Sequence, residues 1–361
     1  MAHEELPPLN ITPGAIRFNT DSMKLEYFRI GMEGGSTSSY AGIGTLAAGE
    51  WVQLTTDSPD IQTGGARGLF SNGWTGSSRV DTIDYITISS TGNAIDFGNS
   101  TVTANARGGG TSSRTRACFH GGFTPYTDVI DFVTISSTGN ASDFGNCLST
   151  VIYQAGVSNS TRGIICGGYA PASPTIVNTM QYITIAQTGN AIDFGDLYTA
   201  IASSPGECAS STRGIIAGGW NGSDRLNNIQ FITISTLGNA GDFGDLTTTR
   251  AGMSGCSNAI RGVFSAGEVA PNVNTMDYIT IATLGNAIDF GDAQRNGQYY
   301  GACASSTRGC YSMVEASSPV GIVSDIDYIQ FASIGDAIDF GDLSQARTAG
   351  GAGSNGHGGL G

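Results

Sequence analysis

One string of residues recurs six times in this 361-residue chain. It runs aromatic, Ile-Thr-Ile, Gly-Asn-Ala, Asp-Phe-Gly, with small departures. The copies end at Asp96-Phe97, Asp143-Phe144, Asp193-Phe194, Asp242-Phe243, Asp289-Phe290 and Asp339-Phe340. Successive Phe residues are therefore 47, 50, 49, 47 and 50 positions apart. A period near fifty marks a stack of units, none of which can bury its own faces alone.

Residues 244–292 serve as the specimen unit. Leu246-Thr-Thr-Thr-Arg-Ala reads as a lead-in, and a strand of small residues follows around Gly255-Cys256. Ile260-Arg-Gly-Val-Phe-Ser-Ala-Gly reads as a second strand, closed by Gly267. Met276-Asp-Tyr-Ile-Thr-Ile is β-branched and aromatic, which suits a third strand. After a Gly-Asn turn, Ala287-Ile-Asp-Phe-Gly gives a short fourth. Four short antiparallel strands per fifty residues is the blade of a β-propeller, with the small-residue strand innermost, where blades crowd the axis. The expected fold is all-β: a six-bladed propeller over residues 61–361, preceded by a small β module over 1–60.

The two ends of the repeat region complement each other. The tail from Gly341 to Asn355 matches 244–258 and stops where a second strand would begin. The first repeat has a second strand near Ala66-Arg67-Gly68 but a poor first one. The C-terminal tail is expected to complete the first blade and remove the exposed edges. The alternative is that residues 58–65 supply that strand and leave the tail loose.

Composition narrows the function classes. Gly numbers 54, charged residues are only 13%, and the net charge is −14. An acidic surface repels a phosphate backbone, so nucleic acid is not an expected partner. No apolar stretch is long enough for a membrane span, so no membrane insertion is expected, and the start of the chain shows no leader pattern. The seven cysteines include Cys208, Cys256 and Cys303 at equivalent places in three repeats. Equivalent places in separate units do not meet, so all seven are expected to be free, small buried hydrophobes.

Each repeat also carries one Arg at the second strand: Arg67, Arg116, Arg162, Arg213, Arg261 and Arg308. These and the six Asp residues, Asp96, Asp143, Asp193, Asp242, Asp289 and Asp339, are expected to be structural partners. Six copies are more than a catalytic or ligand site needs. The six Phe residues are expected between blades. His3, His120 and His357 are too few and scattered for a metal site, and no nucleophile–base arrangement stands out. No enzymatic activity and no cofactor or metal are expected. The variable loops after the second strands carry Trp74, Tyr126, Tyr169 and Trp220, candidates for stacking on sugar rings.

The apolar second strands end in Gly121-Gly122, Gly167-Gly168 and Gly218-Gly219, each followed by an aromatic. This resembles the kelch repeat over about residues 62–356, which implies a kelch-like propeller. The later Tyr and Trp usual in kelch units are absent; the Asp-Phe-Gly string stands in their place.

Residues 1–60 lack the repeat and read as three short strands. Gly14, Ile16, Arg17, Phe18, Asn19, Thr20, Lys24, Leu25, Glu26, Trp51 and Val52 form a pattern that resembles a module of tailed-bacteriophage structural proteins. The repeat string is similar to those in structural proteins of cyanophages. A longer Gly/Ser-rich insertion between Phe28 and Trp51 departs from the pattern. The resemblance implies a virion structural protein, a fibre, tail or capsid-surface component made in the host cytoplasm. Ile16, Phe18, Leu25, Tyr27 and Trp51 would anchor it to other virion proteins and to copies of itself. The propeller would then be presented for host attachment, with host-surface carbohydrate as the target. Two alternatives stand: a purely architectural virion component, and a bacterial kelch-like lectin or enzyme.

Overall fold

The computed structural model describes residues 15–19, 24–30, 49–53, 66–123, 125–173, 175–269, 271–317 and 319–360. The chain divides into two compact units, Met1–Ile61 and Gln62–Gly361.

In the first unit, Ile16–Asn19, Lys24–Ile30 and Gly49–Gln53 form an antiparallel sheet with Lys24–Ile30 in the middle. The register sets Ile16 opposite Tyr27, and Tyr27 opposite Val52. Ile16 is exposed, whereas Glu26 and Phe28 are buried. The side chains of Phe18, Leu25, Tyr27 and Trp51, and the whole of His3, lie outside the described residues.

The second unit is a ring of six antiparallel sheets, numbered here as blades 1–6 in the chain order of their second strands. Blade 5 is representative: Ser254–Ser257, Arg261–Gly267, Val273–Thr280 and Ile288–Asp292, from the axis outward. The innermost strands of blades 2, 3, 4 and 6 are Thr111–Ser112, Ala155–Ser158, Gly206–Ala209 and Gly297–Ala304. Blade 1 takes its innermost strand from the tail. Gly351–Ser354 pairs with Arg67–Trp74, Ala352 opposite Phe70. The tail therefore closes the ring; residues 58–65, the alternative source of that strand, lie outside the described residues.

Much of the recurrent string has a physical explanation. The backbone N–H of the turn glycine donates to the Asp-Phe-Gly carbonyl of the preceding blade: Gly139 to Phe97, Gly285 to Phe243, and across the closure Gly92 to Phe340, at 2.8–2.9 Å. The Ala two residues on donates to the same outer strand, as Ala141 to Asn99 at 2.8 Å. The intervening Asn accepts from that strand through its side chain: Asn99 N–H reaches Asn140 Oδ1 at 3.1 Å, and Asp342 N–H reaches Asn93 Oδ1 at 3.2 Å. Each blade thus covers its neighbour's outer edge, which would otherwise offer unpaired backbone to another chain. The Gly of Asp-Phe-Gly is obligatory twice over. At Gly98 φ is 144°, and a Cβ there would overlap the carbonyl of Gly139.

The six Phe residues are buried between blades, each edge-on to the aromatic of its own third strand, as Phe97 to Tyr85 at 5.9 Å. The expected Arg–Asp pairing is not formed. Asp96, Asp143, Asp193, Asp242, Asp289 and Asp339 are all exposed on outer strands. The six Arg residues instead link blades. Arg67 lies 4.8 Å over the Tyr85 ring and donates to the carbonyl of Ile135 in blade 2 at 3.0 Å. Arg116, Arg162, Arg213 and Arg261 reach Ile185, Ile234, Ile281 and Phe331 in the same way. Arg308 reaches Ile88 across the closure. A planar guanidinium can stack on an aromatic face while its edge donates to a carbonyl, and no carboxylate is needed.

Buried Arg–Asp pairs do exist, at other positions. Arg107–Asp131, Arg250–Asp277 and Arg347–Asp84 lie at 3.0, 2.7 and 2.9 Å, with both partners at 0% side-chain exposure. Each Arg comes from a lead-in, and each Asp precedes the third-strand aromatic of the same blade. Burial opposes the charge on Asp131, but Arg107, Ser100 and Thr101 outweigh it and hold the carboxyl below its usual range. Blades 3 and 4 replace the Asp by Gln181 and Gln230. Buried Val151 and Ile201 stand in their lead-ins, where blade 5 has Arg250.

Blade 6 keeps the Asp but lacks a buried Arg partner for it. Asp327 accepts from the Tyr299 hydroxyl at 2.8 Å, while Arg295 pairs with Asp325. Burial pushes the Asp327 carboxyl up to about 6. The folded chain therefore holds a proton that the unfolded chain releases between pH 4 and 6. Through that window Asp327 makes stability fall as pH rises, with the full loss in place above about pH 6. Asp327→Asn should raise stability at pH 7.5 by about 2–3 kcal/mol, since one pKa unit is ~1.4 kcal/mol. The gain should vanish near pH 4. Denaturant titrations at both values check this; an equal effect at both would contradict it.

All seven cysteines are free and buried. Cys208, Cys256 and Cys303 point between blades, where a Cβ on Gly262, Gly309 or Gly68 would overlap their Sγ atoms. These glycines follow the recurrent Arg and make room for the neighbour's side chain. Blade 2 has Ala117 at that place, and its neighbour from blade 1 is Gly353.

Candidate functional site

Strand direction gives the ring two faces. The turns between innermost and second strands lie on one face. The lead-ins and the loops after the second strands lie on the other, here called the loop face.

Residues 357–360 occupy the axis at the first face. Gly358–Leu360 forms a 3₁₀ turn. His357 Nε2 is 2.9 Å from the Ser112 carbonyl, and Arg114 donates to the Leu360 carbonyl at 2.6 Å. Burial lowers the pKa of His357 to about 4, so the ring is neutral at pH 7. His120 is fully buried beside Gln154, also lowered to about 4 by burial. Both histidines have structural surroundings. Among the described residues no group of His, Cys, Asp and Glu is placed to hold a metal ion.

Along the axis lies a cavity of about 50 Å³. At one level five blades contribute Gly110, Gly156, Gly255, Ala302 and Ala352, and blade 4 contributes Glu207. The Glu207 side chain crosses the bore toward Gly109, where a Cβ would overlap Oε1. Part of Glu207 touches the cavity, yet the cavity is deep in the ring, so burial raises its pKa well above the carboxylate range.

The loop face is built differently. A collar of backbone hydrogen bonds joins the lead-ins around the axis: Ala106 to Ala349, Tyr153 to Ala106, Gly252 to Ser203 and Tyr299 to Gly252, at 2.6–3.1 Å. Several of these residues have a left-handed backbone, including Ala106, Ala349, Ser203 and Gly252. Tyr153 is the bulky member of that set, with φ of 56°. Left-handed backbone is uncommon for any side chain but glycine.

Outside the collar, the residue seven positions after each recurrent Arg sits at the same place in its blade. In order, these are Trp74, Phe123, Tyr169, Trp220, Glu268 and Glu315. The first five each form a bridge to a lead-in, as Trp74 to Thr348 and Glu268 to Ala251. Blades 1–4 therefore carry aromatics and blades 5–6 carry carboxylates.

These groups connect. Arg79 lies between the Trp74 and Phe123 rings, at 4.9 and 5.0 Å, and donates to Asn105 Oδ1 at 3.0 Å. Phe123 packs on Tyr126 at 4.8 Å. Burial raises the pKa of Tyr153; Glu315 and Tyr126 push the same way and Arg79 opposes. Burial raises that of Tyr300 much further, and Tyr153, Glu315 and Glu268 add to it. Arg225, from the Trp220 loop, pairs with Glu268. Both phenols therefore stay protonated at neutral pH, Tyr153 within electrostatic reach of Glu315 and Tyr300 within reach of Glu315 and Glu268.

All four aromatics expected from the sequence lie on this face. Tyr126 and Trp220 are exposed, whereas Trp74 and Tyr169 are half-buried. In the sequence Phe123 stands out only as the aromatic after Gly121-Gly122, and Arg79, Glu268 and Glu315 only as members of the variable loops, while Tyr153 and Tyr300 do not stand out at all. The constant offset from the recurrent Arg would have found three of them.

No protein-family profile and no curated protein matches the chain. Function is therefore read from the geometry and from the residue patterns. Among the described residues no helix is long and apolar enough to cross a membrane.

Proposed function

We propose that this chain is a structural component of a tailed-phage virion. In this reading it anchors through residues 1–60 and presents the loop face of the propeller for binding. The observation that carries the reading is the pattern from Gly14 to Val52, which resembles a phage structural module. Its strands, Ile16–Asn19, Lys24–Ile30 and Gly49–Gln53, belong to a unit separate from the ring. Three short strands bury little surface, and exposed Ile16 favours docking on other virion proteins or on further copies of the module. The ring of aromatics and acids favours a binding role over pure architecture, because Tyr126, Trp220 and Glu315 leave their side chains exposed on the loop face. Host-surface carbohydrate is the proposed target.

The test is incorporation. Full-length chain should appear in purified particles, and a chain of residues 62–361 should fold but fail to incorporate. Normal occupancy of the shortened chain would move the anchor into the propeller. Absence of the full-length protein from particles would overturn the virion reading.

A further inference from the structure

We infer that the loop-face mouth of the axis is a binding site for an uncharged pyranose sugar. The aromatic half of the ring supplies the stacking surface, and the acidic half receives the hydroxyls. The inference rests on reading the propeller as a binding element and is independent of where the protein resides.

The chemistry favours this ligand in three ways. First, Tyr126 and Trp220 are 47% and 38% exposed, on two of four consecutive blades whose aromatics occupy the loop face. A ring face covers the C–H face of a pyranose with large area and little conformational loss. Second, the opposite blades place Glu268 and Glu315 at the same radius, and a carboxylate accepts hydrogen bonds from two adjacent hydroxyls. Glu315 is exposed and makes no hydrogen bond or ion pair among the described residues. Third, the phenols of Tyr153 and Tyr300 lie between the halves and are held protonated; the Tyr300 hydroxyl donates to Gln298 Oε1 and keeps its oxygen lone pairs to accept from a sugar hydroxyl, and the Tyr153 hydroxyl can donate or accept. A few convergent polar groups beside an apolar wall is the usual make-up of a small-molecule site.

Charge selects against the alternatives. Three partly exposed cations of the face are already engaged, Arg295 with Asp325 among them. Arg79 is held between two rings and bonded to Asn105, and Arg225 is paired with Glu268. No free cation of this cluster faces the mouth, and the chain carries a net charge of −14. A sialylated or sulfated sugar would meet unpaired Glu315.

The experiment is calorimetric titration of the full chain at pH 7.5. The probes are the methyl glycosides of glucose, galactose and mannose, N-acetylneuraminic acid, galactose 6-sulfate and spermidine. At least one neutral glycoside should bind saturably, and the acidic sugars should not. Trp220→Ala and Glu315→Gln should each weaken that binding at least about tenfold, which is ~1.4 kcal/mol. Tyr300→Phe, which keeps the ring and loses only the hydroxyl, should weaken it too. Thermal melts that match the parent chain show each variant to be folded. Absence of binding to every neutral glycoside, tighter binding of an acidic sugar or of spermidine, or binding untouched in the folded variants would each overturn the assignment. Loss of sugar binding with normal particle incorporation would leave the virion reading standing.

Discussion

Removing residues 343–361 should open the ring. The deleted segment holds the innermost strand of blade 1, Gly351–Ser354, and the turn that closes the axis. Its loss uncovers the edge of Arg67–Trp74, whose Leu69 and Phe70 are fully buried in the intact chain. It also removes Arg347 and leaves Asp84 buried without its ion pair, a change that alone typically costs ~3–5 kcal/mol. An uncovered, apolar strand edge pairs with whatever edge it meets. The shortened chain should therefore melt far below the parent or not cooperatively at all, and should sediment as aggregate. A monomer with the parent's melting temperature would show that the tail strand does not hold the ring.

The second large effect concerns the buried ion pair of blade 5. Arg250→Ile should destabilise the chain by about 3–5 kcal/mol, because Asp277 remains desolvated with only Thr247 and backbone to hold it. The double variant Arg250→Ile, Asp277→Gln should recover most of that loss. It transplants into blade 5 the arrangement blade 4 already uses, buried Ile201 beside Gln230. Gln230 is satisfied there by Thr199, whose N–H donates to Oε1 at 3.1 Å. Replacing a buried pair by an apolar–neutral set is often nearly neutral, whereas removing one partner is not. Urea titrations of both singles and the double give the coupling energy. A double variant as unstable as the sum of its singles would show that the blades are not interchangeable here.

The architecture was legible because the string that defines it is used identically in every blade. Phe97 and its five counterparts fill the same gap between blades, and the turn glycines make the same hydrogen bond. A contact repeated six times leaves a repeated signature. The role of the Arg67 set was legible as structural, but its partner was not. Recurrence within one string suggested the Asp of Asp-Phe-Gly, whereas an arginine at a blade boundary is better served by a carbonyl and an aromatic face. Arg107, Arg250 and Arg347 escaped notice because only three blades use them. Their signal lies in a correlation inside the chain. Lead-ins with the buried Arg serve third strands that read Asp-aromatic, two lead-ins without it serve Gln181 and Gln230, and blade 6 departs from the rule with Asp327, held by Tyr299. The loop-face cluster was half legible. Trp74, Tyr126, Tyr169 and Trp220 stand out as aromatics in variable loops. Glu268 and Glu315 do not, because an acidic loop residue is ordinary until the ring sets it opposite them. Tyr153 and Tyr300 come from lead-in and inner strand, and only closure brings them to one mouth.

The closed ring depends on the tail strand being an integral part of blade 1. Amide hydrogen exchange on the intact chain reads this without perturbing it. Residues 351–354 should be protected as strongly as 254–257, the innermost strand of blade 5, because opening either requires opening the ring. Exchange of 351–354 at the rate of an unstructured chain, with 254–257 still protected, would contradict the closure and with it the ordering of the loop face.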